Sequence, residues 1–336
     1  MSAGFEALNA RARGLETHLL RRADLDRLAR APDPETLAAA LRAVGVPLAE
    51  GELAPAALDL GLRRLAAARL RVLARWCGDR PAVRLVLFGD EDRRSLRAVV
   101  RGAAHGVPAE VRLSGLVPTP ALPERALREL AGQPTASAAA ALLVAWGNPY
   151  GPALLDAATS AHPDLLRLEL ALNRGWAVRA GRAAAGEGGV LEQYVRESID
   201  LENAFTALAL AGERTDVAPK DAFLRGGAHL GIDTFETAAA GAATDAPRTL
   251  ARAFGDTPLG QAFERYGAEA SLEDHILRVR IRSLVRAMRT APLGAAPWLV
   301  CALRLRAEIL DLRRIVWGVA LAAPQDDIAG ALVTAG

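Results

Sequence analysis

The sequence predicts an all-α fold made of three similar helical units. Three observations carry that prediction: a composition rich in helix formers, apolar residues at helical spacing, and two motifs that recur at intervals close to one third of the chain. Of 336 residues, 51% are hydrophobic but only 4% aromatic. Ala, Leu and Arg fill the difference, and all three favour helix. The β-branched and aromatic strand formers are comparatively scarce. That much apolar residue excludes a disordered tail. A chain this long hides roughly three quarters of the surface that its unfolded form exposes.

Apolar residues fall at helical spacing along the chain. The run Val83–Asp90 (VRLVLFGD) is the one segment that could pass for a strand. Short apolar runs are ambiguous, and it reads as the end of a helix. In IDLENAFTALAL, Leu201, Ala204, Phe205 and Leu208 line one helix face. Leu277, Ile281, Leu284 and Met288 do the same, as do Leu305, Ile309, Leu312 and Val316. Breakers separate these runs: the segment after Val44, the stretches ending at Pro108 and Pro123, Ala183–Gly189 and Ala291–Pro297. Gly and Pro stop helices there through backbone geometry and a missing donor.

The first repeated motif is an acid followed three residues later by a small polar group, within an amphipathic run. It occurs as Asp92/Ser95, Asp200/Asn203 and Glu308/Asp311, in two steps of 108 residues. Residues three apart share a helix face, so each segment presents an acid beside a polar group. The second motif is a Gly-then-Pro turn. Gly45, Gly147 and Gly255 align, with Pro47, Pro149 and Pro258 behind them, and the glycines are 102 and 108 residues apart. Two motifs in the same order predict three units at residues 1–113, 114–221 and 222–336. The period is far longer than the 20–50 residues typical of solenoid repeats.

Function classes are narrowed by what is scarce. The net charge is only +2, from 41 basic and 39 acidic residues. Such a balance argues against a nucleic-acid partner. Lys220 is the sole lysine and sits in VAPKDAF, unlike a phosphate-binding loop. Cys77 and Cys301 show no metal spacing and read as buried thiols. His18, His105, His162, His229 and His275 are scattered. No cofactor or catalytic residue is expected. The apolar stretches 138–146 and 315–323 are shorter than the ~20 residues of a bilayer span, so a soluble protein is expected, one that can still work beside a membrane. The acid pairs read as structural rather than metal-binding, since no His or Cys stands nearby. Arg278, Arg282, Arg286 and Arg289 form a stripe. It reads as a solvated face or, functionally, as a surface for anionic lipid head groups or an acidic shaft tip. The enzyme alternative is a magnesium-dependent all-α prenyl-transfer enzyme. Its nearest acidic stretches are Asp90–Arg94 and Gln325–Ile328, and neither has DDxxD spacing. A helical adaptor with other partners is the remaining alternative.

Beyond these readings, the segments resemble the C-subunit family of archaeal and bacterial V-type ATPases, whose eukaryotic counterpart is the d-subunit. LNARARGLETHLL (Leu8–Leu20) resembles its N-terminal helix. DRRSLRAVVRG, from Asp92, is similar to its D-x-x-N-L segment, with Ser95 where Asn is usual and Arg101 in place. Leu191–Leu210 followed by Phe223–Leu230 resembles its central signature, with Leu210 where a basic residue is usual. LRAEILDLRRIVWG resembles its C-terminal helix, with Asp311 where Asn is usual. The resemblance implies a funnel of three domains around a pseudo-threefold axis. Such a protein would sit on the membrane proteolipid ring, on the cytoplasmic side and without spanning the membrane. It would accept the tip of the rotor shaft in a central cavity. Its task would be to carry torque between proton flow and ATP chemistry, with no catalysis of its own.

Overall fold

A computed structural model describes residues 5–51, 53–78, 80–159, 164–213, 217–267 and 271–334. Every regular element among them is helical, in accord with the composition. The chain opens with α1 (Glu6–Glu16), α2 (Arg22–Ala29), α3 (Pro34–Ala43) and the long α4 (Pro55–Trp76). A short α5 (Pro81–Arg84) runs through a π-helical turn (Leu85–Gly89) into α6 (Asp90–Ala104). Next come α7 (Ala109–Leu113), α8 (Glu124–Ala131), α9 (Ala136–Ala145) and α10 (Gly151–Ala157), then the long α11 (Leu165–Ala185) and α12 (Gly189–Leu210). The order then recurs: α13 (Pro219–Ala222), α14 (Ile232–Ala240), α15 (Ala246–Phe254) and α16 (Pro258–Glu264) lead to α17 (Leu272–Thr290) and α18 (Ala296–Ala320). The last helix is α19 (Gln325–Gly330).

Local chemistry explains the boundaries. Asp33, Thr135, Thr257 and Ser271 cap α3, α9, α16 and α17 by accepting a backbone N–H from the first turn. The aligned glycines close α3, α9 and α15, and all take positive φ (88°, 64° and 59° at Gly45, Gly147 and Gly255). Side chains rarely adopt that backbone, which is why glycine recurs there. Behind the first two, Val46 N–H reaches back to Leu41 O (3.0 Å) and Asn148 N–H to Leu143 O (2.9 Å), satisfying carbonyls left over at the helix end.

Val83–Asp90 is helical, but it begins a helix rather than ending one. The π turn frees carbonyls from the regular ladder, and large side chains satisfy them. Tyr150 OH donates to Gly89 O at 3.0 Å and Trp176 Nε1 to Leu85 O at 3.4 Å.

The long helices each receive a pair of short ones. α6 packs on α8 and α9, α12 on α14 and α15, and α18 on α2 and α3. The helices that begin the chain therefore lie against the helix that nearly ends it. One apolar core runs from Leu8 to Val333 and includes Trp176 and Trp298. A second, around Phe235, Phe254 and Phe263, joins Leu170 to residues 201–279. Among the described residues no helix is long and apolar enough to cross a membrane.

Candidate functional site

The three acids at the head of the repeated motif lie against the segments that lead into α2, α8 and α14. Asp200 on α12 accepts the N–H groups of Ala228 (2.7 Å), His229 (2.9 Å) and Leu230 (3.0 Å). Glu308 on α18 accepts Leu20 N–H (2.8 Å). Asp92 on α6 accepts the Thr119 hydroxyl, whose oxygen in turn accepts Leu122 N–H (3.0 Å). Leu20, Leu122 and Leu230 each stand two residues before α2, α8 and α14. Each long helix thus clasps the entrance to the short helix that it supports. For α18 that entrance is Leu20, 288 residues away in sequence.

The second motif position differs between units. Asn203 holds Leu224 from both sides, its Nδ2 donating to the carbonyl and its Oδ1 accepting the N–H, each at 2.8 Å. Asp311 accepts Val333 N–H (2.6 Å) and Thr334 N–H (2.9 Å). Ser95 is too short to do either, and its buried hydroxyl finds no partner among the described residues. Burial pushes the Asp92 carboxyl up to about 6, against the Thr119 hydrogen bond. It also raises Glu308 and Asp311. Glu308 is countered by an ion pair with Arg69 of α4.

A cavity of about 300 Å³ opens between α4, the π turn, α6 and α18, with Tyr194 of α12 at its edge. Leu70, Leu87, Leu303 and Leu310 supply its apolar wall. Charge enters from Asp90, Glu91 and Arg94 of α6 and Arg306 of α18. Arg94 pairs with Asp90 and with Glu91 (3.0 Å). Burial, and then the nearby Arg306, push the Arg94 guanidinium well below its usual range. Behind the cavity, Arg93 bonds Asn173, Asp90 and Glu202, each at 2.6 Å. Burial pushes Glu202 upward, but Arg93 and Arg97 outweigh it and hold the carboxyl at about 2.

The opposite face of α18 borders a larger groove of about 970 Å³, between α17 and the α1–α2 connection. Leu19, Leu20, Ile281 and Val285 form its floor. All four arginines of the predicted stripe line it. Arg282, Arg286 and Arg289 are exposed and Arg278 half-buried. Arg280, off the stripe, turns toward α12 and pairs with Glu197 (2.9 Å).

Tyr194, Arg94, Arg306 and the Arg93–Glu202 pair were not singled out by the sequence motifs. The DEDRR run named Asp90 and its neighbours, but for a different chemistry. The cavity holding Asp90 takes no aspartate from α19, which carries the other acidic stretch and packs on α18 and α2. The prenyl-transfer arrangement is therefore not assembled. His18, His105 and His229 lie in three separate connections and His275 on α17, and His162 lies outside the described residues. Among the described residues no three His, Cys, Asp or Glu groups converge as metal ligands. Cys77 and Cys301 are free and buried.

The buried acids of this helical scaffold hold backbone amides and arginine, and so tie its helices together. The chain belongs to the family of the ATP synthase (C/AC39) subunit, whose family model matches residues 8–330. That family is a non-catalytic structural component of the rotary V/A-type ATPase. No curated protein matches the chain.

Proposed function

We propose that this chain is the rotor socket of a V/A-type ATPase: it seats the central shaft on the membrane proteolipid ring and transmits torque between them. The observation that carries the reading is the set of clasps at Leu20, Leu122 and Leu230. Each long helix is fixed to the next short pair, and Glu308 brings the last long helix back to the first. A chain fastened end to start resists twisting, because each unit is held by its neighbours and a close-packed interior deforms little. The reading takes residues 1–113, 114–221 and 222–336 as three domains around a pseudo-threefold axis, arranged as a funnel. The cavity between α4, α6 and α18 accepts the shaft tip. The ring lies below, and the protein stays peripheral on the cytoplasmic side.

Affinity capture of the tagged full chain from detergent-solubilised membranes tests this. Recovery of both the shaft subunits and the proteolipid is the expected result. Ala98 is exposed at the rim of the cavity. Ala98→Trp should lower shaft recovery by about tenfold, a loss of ~1.4 kcal/mol, and leave proteolipid recovery unchanged. Capture of neither by the wild-type chain would refute the reading.

A further inference from the structure

We infer that the groove between α17 and the α1–α2 connection docks an acidic amphipathic helix of another protein subunit, at a surface separate from the central cavity. Three features of the groove define its occupant.

The floor is apolar and incompletely covered. Leu19, Leu20, Ile281 and Val285 line it, and all four are only half-buried. Groups of this kind favour an apolar ligand surface over water.

The rim carries positive charge that the acids of the groove do not neutralise. Those acids are already engaged: Glu16 pairs with Arg304 (3.2 Å), Asp26 with Arg22 (2.9 Å), and Glu308 with Arg69. Arg282, Arg286 and Arg289 are exposed and form no ion pair with any described residue. A complementary partner is acidic.

The geometry selects a helix. Arg278, Arg282, Arg286 and Arg289 follow one face of α17 through three turns, about 16 Å of rise. A helix lying along α17, with carboxylates on its flank opposite the exposed Arg282, Arg286 and Arg289 and leucine-like residues beneath, meets rim and floor together. A bilayer surface is flat on this scale. It could touch the arginines but could not enter the concave floor, so the half-buried apolar residues favour the helix over lipid.

The groove is independent of whatever fills the central cavity. A test places the photo-crosslinking amino acid benzoylphenylalanine at Val285 of the full chain within the assembled ATPase. Mass spectrometry then identifies the crosslinked segment. The expected product joins Val285 to a helix of another subunit that bears apolar residues on one face and acids on its flank. Arg282→Glu with Arg286→Glu should lower that yield at least tenfold, and Arg282→Gln with Arg286→Gln should lower it less. Both exchanges lie on exposed positions, and circular dichroism checks that the fold is kept. Crosslinks to lipid, to this chain alone, to a segment without acids, or to nothing would overturn the inference, as would a yield indifferent to charge reversal. Shaft recovery measured on the same samples reports separately on the socket, and should not change.

Discussion

Asp200 occupies the space beside Gly227 so fully that a Cβ on the glycine would overlap the carboxylate. Absence of a side chain lets the loop fold over the acid, and the acid then gathers three successive N–H groups. Asp200→Ala leaves the buried Leu230 N–H unpaired, while the N–H groups of the exposed Ala228 and His229 can turn to water. At ~1–3 kcal/mol for an unsatisfied buried group and ~1 kcal/mol for each other lost bond, the loss is about 2–4 kcal/mol. Gly227→Ala should destabilise in the same direction by displacing the carboxylate. Urea unfolding of the two variants checks both. A chelator should shift neither the wild-type nor the variant midpoint, because the acid is held by amides and not by a metal.

Asp92 gives stability an unusual pH dependence. Its carboxyl lies at about 6 in the fold, against 3.8 for the ordinary group. The folded state therefore holds a proton that the unfolded chain has released. Stability from this group is greatest below about 4 and falls as pH rises through about 6. The full change is about 3 kcal/mol. Glu308 and Asp311 shift in the same direction. Unfolding midpoints between pH 4.5 and 7 should fall with rising pH, and Asp92→Asn should remove part of that slope. A slope unchanged by the substitution would show that Asp92 does not titrate there.

Glu202 has the opposite sign. Arg93 and Arg97 hold its carboxyl at about 2, below the usual 4.5. Its contribution is complete above about 4.5 and is lost as pH falls toward 2. The contributions of these two carboxyls, Glu202 and Asp92, summed, are largest at about pH 4 to 4.5. Arg93→Ala leaves Glu202 and Asn173 with Arg97 as their one remaining cation, at 3.2 and 2.7 Å. Removing the sole partner of a buried charge typically costs about 3–5 kcal/mol, and the retained Arg97 should keep the loss at or below the lower end of that range. The acid limb of the stability curve should flatten as well, which a mere cavity at Arg93 would not cause.

Cys301 is fully buried, and burial pushes its thiol up to about 12. The thiolate is the reactive form, so this thiol should react with an aromatic disulfide reagent only when the chain opens. Labelling in buffer should be slow, and in denaturing urea both cysteines should react at once. Fast labelling of Cys301 under native conditions would contradict its placement inside α18.

Helix content and the turns were legible because their causes are local. Periodic leucines mark faces, and a positive φ selects glycine at Gly45, Gly147 and Gly255. The acids were legible as a motif but their partners were not. Glu308 meets Leu20 across 288 residues, and Arg93 meets Glu202 across 109. No periodicity within a single helix encodes such distances. The π turn at Leu85–Gly89 was hidden for another reason. It arises because Tyr150 and Trp176 take up the freed carbonyls, and both lie far along the chain. The arginine stripe was visible as a face of α17. That the α1–α2 connection lies opposite and turns it into one wall of a groove depends on the packing of α1 and α2 on α18.

That packing yields a final test at Glu308. Its carboxylate accepts Leu20 N–H, and the Arg69 guanidinium that pairs with it also donates to His18 O (3.0 Å). One buried cluster therefore ties α4, α18 and the α1–α2 connection. Glu308→Ala removes the anion and leaves Arg69 as a buried cation without its partner. If the clasp fastens the first helices to the last long helix, they should loosen before the rest. Hydrogen exchange at Leu20 and through α2 should quicken by about tenfold or more, corresponding to at least ~1.4 kcal/mol of local opening. Exchange in α12, held by its own clasp at Asp200, should change little. Uniform acceleration across the chain would mean that Glu308 supports global stability only, and that the end-to-start connection is not a separate mechanical link.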